Sequence, residues 1–218
     1  MSDALEIRPV GAEERETACR LIFDPPGPEA RGLLGGEARA RELGREILRL
    51  GIHPRPDHEV IAAFEAGRPL GVLVLEDTGR GAGRTGGGML GIVPLALRSF
   101  APWQLPGLAW RSWLRSRLDF PLPPGALHVV ELHVTPERRG RGLGARLLAH
   151  AEALARSRGR ARLVLSTLVH NPARRLYARA GYRVAAERTA PGYAAFTGSP
   201  GRVLLEKPLE PVAPTCGA

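Results

Sequence analysis

Val129-Val130-Glu131-Leu132-His133-Val134 runs directly into Thr135-Pro136-Glu137-Arg138-Arg139-Gly140-Arg141-Gly142-Leu143-Gly144. The first six residues form a mostly apolar, valine-rich run that predicts a strand. Beyond the glycines, Leu143, Leu147, Leu148, Ala151, Leu154 and Ala155 recur near the helical period, predicting a helix that Gly159 closes. A strand that turns through glycines into a helix leaves the first helical amides without intrahelical partners, pointing at whatever anion sits there.

Three kinds of anion site share that design, and the residues separate them. A P-loop requires a Lys-Ser/Thr pair after its last glycine, and this turn has none. A dinucleotide turn requires G-x-G-x-x-G and an acid roughly 20 residues on. Gly140, Gly142 and Gly144 are instead spaced G-x-G-x-G, and residues 158–168 hold no acid. The third kind is matched twice. Arg139-x-x-x-x-Gly144 with Gly140 and Gly142 resembles the pyrophosphate loop of the GNAT acyltransferases. Downstream, Ala173-x-x-Leu176-Tyr177-x-x-x-Gly181-Tyr182 is similar to that family's second conserved segment.

The resemblance is close over about 129–183 and looser elsewhere. It implies an α/β (α+β) fold with a mixed, splayed central β-sheet flanked by helices. It also implies acetyl-CoA as cosubstrate, with no metal, and transfer to an amine acceptor, a small molecule or a peptide. Backbone groups of Leu132, His133 and Val134 would then meet the pantetheine arm. The stretch Arg139, Gly140, Arg141, Gly142, Leu143, Gly144 and Ala145 would wrap the pyrophosphate, and Tyr177 would lie near the thioester sulfur. The family's asparagine before the second segment falls at His170 here, with Asn171 one residue later, so both are candidates for a cofactor contact.

Amine acetylation needs a neutral amine, a stabilised oxyanion and a proton for the departing thiolate. Tyr177 is the candidate acid, and packing on its helix is its structural alternative. Glu131, a carboxylate inside an apolar strand, is the candidate base. Its alternative is an ion-paired strand residue, and His133 on the same strand face is the runner-up. Two further readings stay open: a CoA-binding regulatory module without catalysis, and a nucleic-acid binder, which ranks last because few aromatics accompany the arginines.

The rest of the chain reads outward from this centre. Leu5–Val10 alternates as a first strand, 11–24 and 29–50 read as helices, and Val60–Glu65 with Leu70–Glu76 form a hairpin around Ala66-Gly67-Arg68-Pro69. Residues 78–88 read as a glycine-rich loop and 89–127 as one or two helices, whose Trp103, Trp110 and Trp113 are expected to pack hydrophobically. Burial of this segment in a homodimer is a further arrangement. Asn171-Pro172 caps a helix ending at Gly181, and Tyr182–Glu187 and Arg202–Glu206 are the last strands. One domain over 1–209, with an insert at about 78–127 and a flexible 210–218 tail, accommodates this order.

Composition bounds the rest. At 44% hydrophobic and 24% charged residues, the 218-residue chain can bury a core. The N-terminal residues show no basic, apolar leader and no run suits a membrane, so the expectation is a cytoplasmic protein with no membrane partner. Cys19 and Cys216 make no metal or disulfide pattern, and the histidines form no H-x-x-x-H pair. Charge is concentrated: residues 138–188 hold thirteen arginines against Glu152 and Glu187, a local +11 in a chain of net +9. Such a field attracts a polyanion. Arg156, Arg158, Arg160 and Arg162 read as a solvated, steering face.

Overall fold

The computed structural model describes residues 5–78 and 87–210, with side chains left out over 87–92. Seven strands form one mixed sheet: β1 (Glu6–Pro9), β2 (Glu59–Glu65), β3 (Arg68–Asp77), β4 (Ala126–Val134), β5 (Arg162–Leu168), β6 (Arg183–Thr189) and β7 (Gly201–Pro208), in the order β1-β2-β3-β4-β5-β7-β6. All neighbours are antiparallel except β4 and β5. That parallel pair is short. Ala126–Val129 pairs with Arg162–Leu165, after which β4 runs on to Val134 and β5 to Leu168 without pairing each other. The sheet therefore parts at its centre. On the other edge of β4 the register passes from Leu75↔Val129 to Val74↔Glu131, so Val130 is an extra residue, a β-bulge that bends the strand where it leaves β5.

Helices cover both faces. The predicted helix after the glycine turn is α6 (Leu143–Ser157); its stripe Leu143, Leu147, Leu148, Ala151 and Ala155 is buried against Leu73, Leu127, Val129, Leu163 and Val203. Gly71 makes that approach close, because a Cβ there would lie 3.0 Å from Leu147 Cδ1. The opposite face is covered by α1 (Ala12–Cys19), α2 (Pro28–Leu34) and α3 (Glu37–Arg49), with Cys19, Ile22 and Phe23 on Val60, Val72 and Val74.

Several expectations are corrected. The helix expected over 29–50 is two helices, broken where Gly35 and Gly36 take φ of 86° and 123°, values that a side chain rarely tolerates. The helix expected over 11–24 ends at Cys19 and tightens into a 3₁₀ turn over Arg20–Ile22. The hairpin turns on two residues, Ala66 and Gly67, both at positive φ, and Pro69 belongs to β3. The segment after the hairpin forms α4 (Gly87–Ser99) and α5 (Leu105–Ser116). Its tryptophans do not pack in the core: Trp103, Trp110 and Trp113 are exposed, the last two stacked at 4.8 Å, because α5 buries Leu114 instead. The expected glycine-rich loop at 78–88 and the tail at 210–218 lie almost wholly outside the described residues.

Downstream, α7 (Arg174–Arg179) starts three residues after Asn171, because its first turn is tight: the Arg174, Arg175 and Leu176 amides bond three residues back. Between β6 and β7 a short helix, α8 (Ala194–Thr197), was not anticipated.

Candidate active site

The parted strands and the mouth of α6 lie together. After β4, Pro136–Arg138 makes a 3₁₀ turn that an Arg138–Glu65 ion pair ties to β2. Gly140 and Gly142 then take φ of 73° and 80°, with open space where a Cβ would stand. The first amide of this stretch to find a protein acceptor is that of Arg146, on Gly142 O. Six successive amides, Gly140 to Ala145, are thus left for another partner, at the positive end of a 15-residue helix. Leu143 is buried and anchors the turn, Arg141 is exposed, and a Cβ on Gly144 would come 3.0 Å from Leu176 Cδ2. Glycine there lets α6 and α7 close up.

Along β4, Thr135 N–H donates to Leu70 O on β3. Alternation turns the main-chain groups of His133 to the same side and those of Leu132 and Val134 toward the gap. His133 O lies 3.2 Å from the Cβ position of Gly71, in keeping with that direction. Arg139 Nε donates to Val134 O at 3.1 Å, and a carbonyl's second lone pair stays free. Asn171 is held by its own turn: its Oδ1 accepts from Ala173 N and its Nδ2 donates to Thr167 Oγ1. His170 is exposed, with Nδ1 3.3 Å from Gly198 O. Neither needs an outside partner to explain its position.

Side chains gather around Glu131. Its Oε2 lies 3.1 Å from His133 Nε2 and its Oε1 3.0 Å from Nε2 of His53, a residue of the α3–β2 connection. Burial pushes the Glu131 carboxyl up, but hydrogen bonds from His133 and then His53 outweigh it and hold the group well below the usual carboxylate range. The charge of Glu131 is felt at Tyr177, whose phenol is pushed up to about 12, first by burial and then by that carboxylate. Tyr177 packs edge-on to Tyr182, 6.0 Å between centroids, in the core under α6. Glu131 and His133 thus lie on the end of β4 that does not pair with β5, Tyr177 lies close enough to feel the Glu131 charge, and His53, which sequence pattern did not single out, joins Glu131.

A second ionic group lies alongside. Glu76 on β3 meets Arg55 at 2.5 Å and His128 at 3.3 Å, and its carboxyl falls to about 2 through the His128 hydrogen bond, against burial, with Arg55 adding. His58 is buried with both ring nitrogens unpartnered, and burial, then Arg55, lowers it to about 4. The arginines expected as a steering face are instead paired: Arg156 with Glu152, Arg158 with Glu59, Arg160 with Asp77 and Arg162 with Glu206. Among the described residues no group of three or more His, Cys, Asp or Glu is arranged so that it could hold a metal ion, and no helix is long and apolar enough to cross a membrane.

Comparisons with known proteins agree with this geometry. No curated protein sequence matches the chain. In fold, it is similar to a putative GNAT-family acetyltransferase from Desulfovibrio desulfuricans (TM-score 0.56, 16% identity, 94% of this chain and 99% of that one). It is also similar to the PaiA N-acetyltransferase from Thermoplasma acidophilum, solved in complex with coenzyme A (TM-score 0.53, 15% identity, 94% and 99%), and to an acetyltransferase from Thermus thermophilus (TM-score 0.51, 19% identity, 96% and 100%). At these identities the likeness is one of fold. The model of the acetyltransferase (GNAT) family matches residues 36–182, from the start of α3 through Tyr182, a range that holds β4, α6, β5 and α7. The chain belongs to the GNAT acetyltransferase family.

Proposed function

We propose that the chain is an N-acetyltransferase that takes the acetyl group of acetyl-CoA to a primary amine, on a small molecule or a peptide, by direct attack in a ternary complex. The observation that carries this reading is the coincidence of six unpaired amides at Gly140–Ala145 with a sheet that opens between β4 and β5. The amides suit a diphosphate. Arg139 and Arg141 add charge beside them, and the gap-facing groups of Leu132 and Val134 suit an amide-bearing arm that docks like an added strand.

The chemistry then divides among few groups. The side chains around Glu131 take one proton from the ammonium, and the freed nitrogen lone pair attacks the thioester carbonyl. The C–N bond forms to give a tetrahedral oxyanion, which collapses with breaking of the C–S bond as Tyr177 lends its proton to the sulfur. The second nitrogen proton replaces the one lent, so one net proton leaves per turnover. Tyr177 and the group of side chains centred on Glu131 carry these steps, and no covalent enzyme intermediate is formed.

Calorimetry with coenzyme A, followed by an acetyl-CoA-dependent amine screen with free-thiol detection, tests the reading. Saturable CoA binding and amine-dependent thiol release are expected. Binding without release across the screen would favour a regulatory module, and a protein indifferent to coenzyme A would refute the assignment.

A further inference from the structure

We infer that His53 is the atom-level proton acceptor of this site: its Nδ1 takes the ammonium proton, while Glu131 grips its Nε2–H and holds the ring in the tautomer that leaves Nδ1 bare. The inference rests on the N-acetyltransfer reading above and specifies which group around Glu131 receives the proton.

Three observations carry it. First, both carboxylate oxygens of Glu131 are engaged, Oε1 with His53 Nε2 at 3.0 Å and Oε2 with His133 Nε2 at 3.1 Å. An ionised carboxylate only accepts, so both histidines present Nε2–H to it, and a neutral imidazole then has a lone pair at Nδ1. Second, Glu131 between two donors is a poorer base than an ordinary carboxylate, whereas an imidazole is intrinsically a better one. Third, the two histidines differ in setting. His133 belongs to β4, the strand whose gap-facing groups suit the thioester arm. His53 comes from the helical layer over the sheet, on the α3–β2 connection, and is the more exposed of the two, at 29% of its side chain against 21%. On this inference an incoming amine stands between its ring and the thioester.

The connection that delivers His53 is fixed rather than loose. Arg15 of α1 donates to the carbonyls of both Arg55 and His58, and Ile52 N–H bonds Ile47 O. The charged and titratable groups around the ring are Glu131 and His133 from β4, His58 edge-on at 6.3 Å, and beyond it Arg55 with Glu76 of β3 and His128 of β4. A proton arriving on Nδ1 converts the ring to imidazolium directly against the Glu131 anion, which stabilises it.

Imidazole nitrogen NMR on the intact protein needs no acceptor. It should find His53 as the Nε2–H tautomer, with that preference lost in Glu131→Gln. An Nδ1–H tautomer overturns the inference. Kinetics supply the second arm, with acetyl-CoA and spermidine, kanamycin and an alanine-terminated tetrapeptide as probe amines. His53→Gln should lower kcat/KM about 100-fold at pH 7, with the deficit narrowing toward pH 10 as the amine arrives already neutral, and with CoA affinity within about twofold of wild type by calorimetry. His133→Gln should give a smaller loss that does not change with pH. An equal deficit for His53→Gln at every pH, or the pH-dependent loss appearing in His133→Gln instead, overturns the assignment to His53 while leaving N-acetyltransfer standing. Failure of the wild type to bind acetyl-CoA and release thiol overturns both.

Discussion

Under the proposed reaction Tyr177 has two duties, packing and proton donation. Its phenol, pushed up to about 12 by burial and the nearby Glu131 charge, stays protonated at every practical assay pH. It is therefore always ready as a donor and never sets the alkaline limb of a pH–rate profile. Tyr177→Phe should lower kcat by about 10- to 100-fold, leave CoA affinity unchanged and leave the position of that limb unmoved; unchanged kcat would return Tyr177 to packing alone. His58 makes a different prediction. Its folded pKa of about 4 lies below the ordinary 6.5, so the unfolded chain binds the extra proton first, and stability present above pH 6.5 is lost as pH falls toward 4. Glu76, depressed from 4.5 to about 2, continues the loss below pH 4.5. Denaturant midpoints measured from pH 7 to 3 should fall throughout for the wild type, and His58→Leu should flatten the upper part of that fall. At this scale the sequence was legible where chemistry is local. Gly140, Gly142 and Tyr177 sit in short motifs, while His53 reaches Glu131 across 78 positions, a meeting that only tertiary structure arranges.

Elements repeat the lesson. The stripe of α6 could be read because its period is unbroken and its start and stop are glycines. The division of α2 from α3 could not, since Leu34, Leu43 and Ile47 still join one apolar cluster across Gly35-Gly36, so periodicity runs through the break. The tryptophans of the inserted segment misled because aromatic character signals burial on average, and here α5 turns that face outward. The α6 entrance supports a test of its own. Gly142 at φ 80° has room for a side chain but not the backbone freedom for one, so Gly142→Val should cost about 1–2 kcal/mol of stability. It should weaken CoA binding at least tenfold if the turn wraps the diphosphate, with calorimetry and a thermal melt separating the two effects.

Across the whole molecule, distant segments are tied by Glu29 of α2. It accepts from Arg115 of α5, from Arg202 of β7 at 3.1 Å and from Tyr193 at 2.6 Å, and Arg202 also donates to Ser166 of β5 at 2.6 Å. The Arg202 side chain is only 8% exposed, so Glu29→Gln strands a buried cation and should cost about 3 kcal/mol, or roughly 6–12 °C in Tm by calorimetry. Ser166 is the first β5 residue past the last β4–β5 pair, which places this knot beside the parting of the sheet. That parting divides the sheet into two antiparallel leaves joined by a seam of four paired positions whose Leu127 and Leu163 are wholly buried. In deuterium exchange the seam should be among the last places to take up label. The Leu132 and Val134 amides, lacking a neighbouring strand, should label early, and slowing of those two by coenzyme A would register the ligand as the missing rung of the ladder.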